Sequence, residues 1–127
     1  SKTWAEYGKA VEGCLRLMRD QDDFHVLFTA LAKEEQDGNA MTHYWPQLQG
    51  SKQSKKIPAL FDNVFAGARV SKKAGNGPPT IQRVIYCDEV NGWHGKVRDP
   101  YGVVRSVEET GNVVELIKRI QNGAKQK

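Results

Sequence analysis

The sequence predicts an α/β fold with a mixed, largely parallel sheet, a flanking helix at each end and a β-hairpin ahead of the last helix. Three observations carry that reading. Trp4, Tyr7, Val11, Leu15 and Met18 recur at three- and four-residue steps, which places them on one helical face that needs a sheet to cover it. Residues 24–31 form a largely apolar run, with His25 and Thr29 inside it, the pattern of a strand buried on both faces. A helix feeding such a strand is the grammar of βαβ architecture. The third observation is a well-signalled final helix, with Asn112 as N-cap, Glu115 as its capping-box partner, and Val113, Val114, Leu116, Ile117 and Ile120 as apolar positions. Gly123 is expected to stop it.

Between these landmarks each segment has its own signal. Asp20, Asp22 and Asp23 end the first helix as a polar exit, a simpler reading than a nuclease carboxylate cluster. Residues 33–43 are polar with a Gly38-Asn39 turn signal, which predicts a loop at a strand's C-terminal end, where open α/β sheets bind ligands. A short aromatic stretch, 44–50, and a basic polar segment, 51–56, come next. Residues 57–61 predict a short helix with Pro58 in its first turn, and 62–66 a strand. Lys, Gly, Asn and Pro crowd 72–79, which therefore reads as a loop. Residues 82–90 and 93–98 are strands joined by Asn91-Gly92, the best hairpin turn in the chain. A further turn at 99–102 precedes a strand at 103–107.

Composition bounds the function classes. The chain has 127 residues, 27% charged and 39% hydrophobic, which suits one domain, 1–127, with an ordinary soluble composition. With neither a signal peptide nor an apolar run of spanning length, the expectation is an intracellular protein away from membranes. Cys14 and Cys87 lie in apolar stretches without C-x-x-C spacing and read as buried, reduced thiols. His25, His43 and His94 lack metal-ligand spacing, and a Cys–His nucleophile would need an exposed, electropositive thiol. No hydrolase emerges. The net charge of +4 favours a polyanionic partner weakly, but its distribution says more. Lys52, Lys55, Lys56, Arg69, Lys72, Lys73 and Arg83 crowd the middle, and Lys118, Arg119, Lys125 and Lys127 the end. Such a surface either tracks a phosphate backbone or is a solvated face. The chain opens on Ser1 and enters its first helix almost at once, the expected start of a fragment of a longer protein.

The order of the pieces resembles the C-terminal half of phage-encoded RecA-like ATPases of the single-strand annealing (Sak) kind. Those pieces are the apolar run 25–31 ending in Lys33-Glu34-Glu35, Tyr44-Trp45-Pro46, the basic segment, Ile57-Pro58, and Trp93-His94-Gly95-Lys96-Val97-Arg98 before the last helix. The resemblance implies a partial RecA-like sheet and an oligomer that holds ATP between subunits while single-stranded DNA is bound and annealed. The sequence contains no G-x-x-x-x-G-K-S/T, and the prolines in Gly75-Asn76-Gly77-Pro78-Pro79 remove donors from any phosphate cradle. ATP and Mg2+ are therefore expected only in a complete assembly, with none for this chain alone, in the cytoplasm of a phage host.

Carried over position by position, the resemblance makes Thr29 a polar sensor near the γ-phosphate, although a β-branched residue also simply suits a strand. Glu34 and Glu35 follow as carboxylates that orient water or hold magnesium, or as solvated loop acids. Lys96 and Arg98 are the pair that reaches a neighbouring subunit's ATP, where cations offset charge spreading over the transferred phosphoryl group. Strand alternation puts both on one face. The expected DNA contacts are Lys33, Tyr44, Trp45, Lys52, Lys55 and Lys56, with rings stacking bases and lysines neutralising phosphates. Tyr44 and Trp45 equally fit a buried strand edge. Two function classes follow: the core of a recombination ATPase that self-associates or joins a missing N-terminal half, and a P-loop-less protein that binds or inhibits a protein partner.

Overall fold

The computed structural model describes residues 2–48, 51–73 and 75–125, with side chains from 5–48, 53–73 and 75–123. The chain is α/β and divides into two compact units, one up to Phe61 and one from Asp62 onward.

In the first unit, the periodic apolar residues form α1, Lys2–Arg19, as expected. Its covered face runs through Gly8, Val11, Glu12 and Leu15, while Tyr7, Leu17 and Met18 are exposed. Gly8 lies under the Gln53 side chain, and Glu12 takes an ion pair from Lys56 at 3.0 Å, so α1 packs on α2, Ser51–Lys56. The basic polar segment 51–56, for which no helix was expected, is thus a helix. The 3-10 turn Ile57–Leu60 follows with Pro58 at its start, as the proline predicted. Ser54 and Ile57 are the buried anchors here. Ser54 Oγ accepts from the Leu48 N–H at 3.2 Å and donates to the Leu48 carbonyl at 3.3 Å, so its burial leaves no polar atom wanting.

The run 24–31 departs most from expectation. It carries no strand, and Phe24, Leu27, Phe28 and Leu31 are all exposed; Phe28 meets Phe61 with ring centroids 5.3 Å apart. The expected loop 33–43 is instead a hairpin of β1, Ala32–Gln36, and β2, Thr42–Pro46, in antiparallel register. Its turn is the one the Gly38-Asn39 signal marked. Asp37 organises it, accepting from the N–H groups of Asn39 and Met41 at 2.8 and 3.0 Å.

The second unit is built on β3, Ala66–Lys72, β4, Thr80–Tyr86, and β7, Val107–Glu108, in the order β3-β4-β7. The strand pairs within each unit are antiparallel, so the largely parallel sheet expected from the sequence is not what these strands form. In three of these pairs, β1–β2, β3–β4 and β5–β6, a turn or short loop joins consecutive strands directly, without the crossover a parallel pair requires. The strand expected at 62–66 begins at Ala66, and Val64 makes only an isolated bridge to Lys96. β5, Glu89–Val90, and β6, Trp93–His94, flank the Asn91-Gly92 turn, where φ values of 52° and 84° give the type I′ geometry that the pair favours. The strand expected at 103–107 shrinks to β7, because Asp99 folds back its start, accepting from Val103 and Val104 N–H groups at 3.1 and 2.8 Å.

The last helix, α3, Val113–Lys125, starts as predicted: Asn112 Oδ1 accepts from Val114 and Glu115 N–H groups. The box closes through an extra residue, since Thr110 Oγ1 accepts from the Asn112 N–H and donates to Glu115. Gly123 does not end the helix; it is buried inside it against Tyr101 and Val103. Leu116 is fully buried and forms the core with Ile85 and Cys87, over which Phe65, Val97, Val104 and Val113 pack. Cys14, by contrast, is exposed, against the expectation of two buried thiols, because it lies off the covered face of α1.

Candidate functional site

The β1–β2 hairpin assembles the densest set of the expected contact residues. In its register Lys33 stands opposite Trp45, and Glu35 opposite His43, so these four share one face. Glu34 and Tyr44 pair on the other face. Tyr44 and Trp45 therefore lie on opposite faces of the hairpin.

α2 completes the Trp45 face. Lys55 Nζ lies 6.0 Å from the Trp45 ring centroid, within cation–π range, and 3.0 Å from Glu35 Oε1. The His43 ring stacks beside Trp45 at 6.4 Å with a 24° interplanar angle. His43 Nε2 in turn lies 2.7 Å from Asp37 Oδ2. The His43 hydrogen bond, helped by the Asn39 and Met41 N–H groups, holds the Asp37 carboxyl below the usual range. The result is a half-exposed indole flanked by an imidazole and an ammonium, a surface able to stack a planar group and offer a cation to an anion beside it.

Other expected residues lie elsewhere. Lys56 Nζ is engaged by Glu12, on the α1 side of α2. The Lys52 side chain lies outside the described residues. Thr29 is exposed in the irregular stretch 25–31 rather than at the end of a strand. His43 and Glu35 were the residues sequence reasoning missed as members of this face. Reading Gly38-Asn39 as a hairpin turn, with alternation on both sides, would have found them.

Lys96 and Arg98 belong to the second unit. Lys96 is pinned by reciprocal backbone bonds with Val64 at 2.7 and 2.9 Å, and Arg98 N–H donates to Asn63 Oδ1 at 2.9 Å. Val97 turns into the core between them, leaving both cationic side chains exposed. Arg98 makes a loose 3.8 Å contact with Asp62, in which both groups are mostly solvated. Both cations thus stand on a fixed backbone with freedom to meet an incoming anion. No group of three or more His, Cys, Asp or Glu among the described residues is arranged to hold a metal ion. No helix among them is long and apolar enough to cross a membrane.

Comparison with known proteins gives one positive finding. The family model described as AAA domain matches residues 1–98, more than three-quarters of the 127-residue chain. No curated protein and no solved structure matches it. The matched span contains the Trp45 face and ends on Arg98, and on that coverage the chain belongs to the AAA domain family of P-loop-type ATPases.

Proposed function

We propose that this chain is the C-terminal portion of a phage RecA-like ATPase core that binds single-stranded DNA during annealing and recombination. The observation that carries the reading is the convergence of Lys33, Trp45 and Lys55 on one face of the β1–β2 hairpin, beside the stacked His43. An indole offers any base a π-face, while lysines meet phosphates without sequence preference. Lys96 and Arg98 supply the second part. They are two exposed cations on a pinned backbone, suited to a neighbouring subunit's ATP, whose phosphates they would neutralise. ATP with Mg2+ belongs to the complete assembly, because this sequence holds no G-x-x-x-x-G-K-S/T. Lys96 and Arg98 would bind and orient the anion; Thr29 and the Mg2+ ligands would act only with that assembly.

Fluorescence anisotropy of a labelled oligo-dT, titrated across salt, tests the DNA reading. Binding that weakens with salt and falls in Lys33→Ala/Lys55→Ala, but not in Lys96→Ala/Arg98→Ala, supports it. Absence of binding at low salt overturns it.

A second reading has its own observation. Phe24, Leu27, Leu31 and Met41 are exposed to more than half of their full area in one unit, an apolar surface of the kind that takes a protein partner. In that reading the chain is an interaction protein of ATPase descent, binding or blocking that partner, and self-association is its simplest form.

A further inference from the structure

We infer that Glu35 is an internal competitor for the nucleic-acid site, a carboxylate latch that holds Lys55 over Trp45 until a phosphate displaces it. The inference rests on the single-stranded DNA reading and adds its regulation. Lys55 Nζ lies 3.0 Å from Glu35 Oε1 and 6.0 Å from the Trp45 ring centroid, so one ammonium serves both the carboxylate and the indole. A base stacking on the Lys55 side of that ring meets the ammonium first. A phosphate approaching Lys55 meets a carboxylate already in its place, with like charge.

The geometry holds the latch in position. Glu35 is fixed in β1 opposite His43, and Lys55 in α2, so neither is a loop residue free to drift. Glu35 Oε2 is buried without a hydrogen-bond partner, and Oε1 makes the pair with Lys55. The carboxylate therefore has one spare acceptor beside the oxygen that makes the pair. His43, on the same face, is engaged with Asp37 at 2.7 Å, so the Asp37 charge is already spoken for. Lys56 is likewise held away by Glu12. Glu35 is the carboxylate that opposes Lys55 on this face.

Removing that charge frees Lys55 for phosphate. Glu35→Gln in the 127-residue chain is expected to bind labelled oligo-dT about three- to tenfold more tightly at low salt. The slope of log affinity against log salt is expected to steepen by about 0.7, one further single-strand phosphate. Glu34→Gln changes the net charge equally but lies on the opposite hairpin face, and should shift affinity less than twofold. In a Lys55→Ala background Glu35→Gln should give no gain. Glu35→Ala repeats the test with a smaller side chain, and thermal melts with circular dichroism establish that each variant is folded.

Tighter binding by Glu35→Gln than by a wild type that itself binds, vanishing without Lys55, supports the latch. Equal or weaker binding by Glu35→Gln, with the wild type binding, overturns the latch and leaves the DNA reading intact. A gain matched by Glu34→Gln also overturns it, as a general charge effect. Absence of binding by wild type and variant alike overturns both.

Discussion

Arg119 on α3 donates to Glu108 on β7 at 2.8 Å, and Glu108 is 6% exposed. Burial alone would push the Glu108 carboxyl up, but the Arg105 N–H at 2.6 Å and the Arg119 guanidinium reverse that and hold it below its ordinary range. The pair joins the short last strand to the last helix.

Arg119→Ala is expected to destabilise the second unit by about 2 kcal/mol, because it leaves a buried carboxylate without its cation while Arg119 itself is partly solvated. A carboxyl held low when folded adds stability that is fully present above its unfolded pKa and is lost as pH falls through the folded value. Urea midpoints should be flat above about pH 5 and fall below about pH 4. Glu108→Gln should start lower and lose part of that acid slope.

The Lys96–Arg98 segment depends on a close approach. A Cβ on Gly95 would lie 2.5 Å from the Tyr86 carbonyl oxygen and 3.0 Å from the Asp88 nitrogen, both backbone atoms that cannot swing aside. Gly95→Ala is expected to cost about 2 kcal/mol in urea unfolding. Gly67→Ala, at a site with open space for a Cβ, is the comparison and should cost much less.

The two thiols should separate cleanly. Cys14 is exposed, whereas burial, followed by the nearby Glu108 charge, pushes the Cys87 thiol up to about 11. Its thiolate is then about one part in a thousand at pH 8, so a disulfide reagent should titrate one group quickly and the second only on unfolding. Cys14→Ser should remove the fast phase entirely.

Within the hairpin face the contributions should be unequal. Trp45→Ala is expected to weaken oligo-dT binding by about 1–3 kcal/mol through lost stacking. Lys56→Ala, whose ammonium is already engaged by Glu12, should change it little, and Tyr44→Ala less than Trp45→Ala because Tyr44 faces the other way. Anisotropy titrations at one fixed low salt concentration rank all three.

Local chemistry was written plainly in the sequence. Helix α1, the proline-led 3-10 turn, the Asn91-Gly92 hairpin and the Asn112 cap each follow from side chains acting on backbone within a few residues. The α/β class follows from the same patterns. The basic residues of the candidate site were legible as a set, because lysine and tryptophan declare their chemistry wherever they lie. Their grouping was not.

Which residues share a face was decided by tertiary structure. Polar residues 33–43 carry no strong strand propensity, yet they pair as a hairpin because the Asp37 cap and cross-strand bonds satisfy their backbone. That pairing sets Lys33 and Trp45 together, sends Tyr44 to the other side and brings Glu35 to Lys55 from a separate helix. The apolar run 24–31 shows the converse. Its sequence has the composition of a buried strand, but a strand forms only where neighbours supply hydrogen bonds, and in this chain Phe24, Leu27, Phe28 and Leu31 remain exposed. The sequence alone determined the first and last helices, the Asn91-Gly92 turn and the inventory of charges and rings. Only the tertiary structure decided their pairing, because register and packing depend on contacts between residues far apart in the chain.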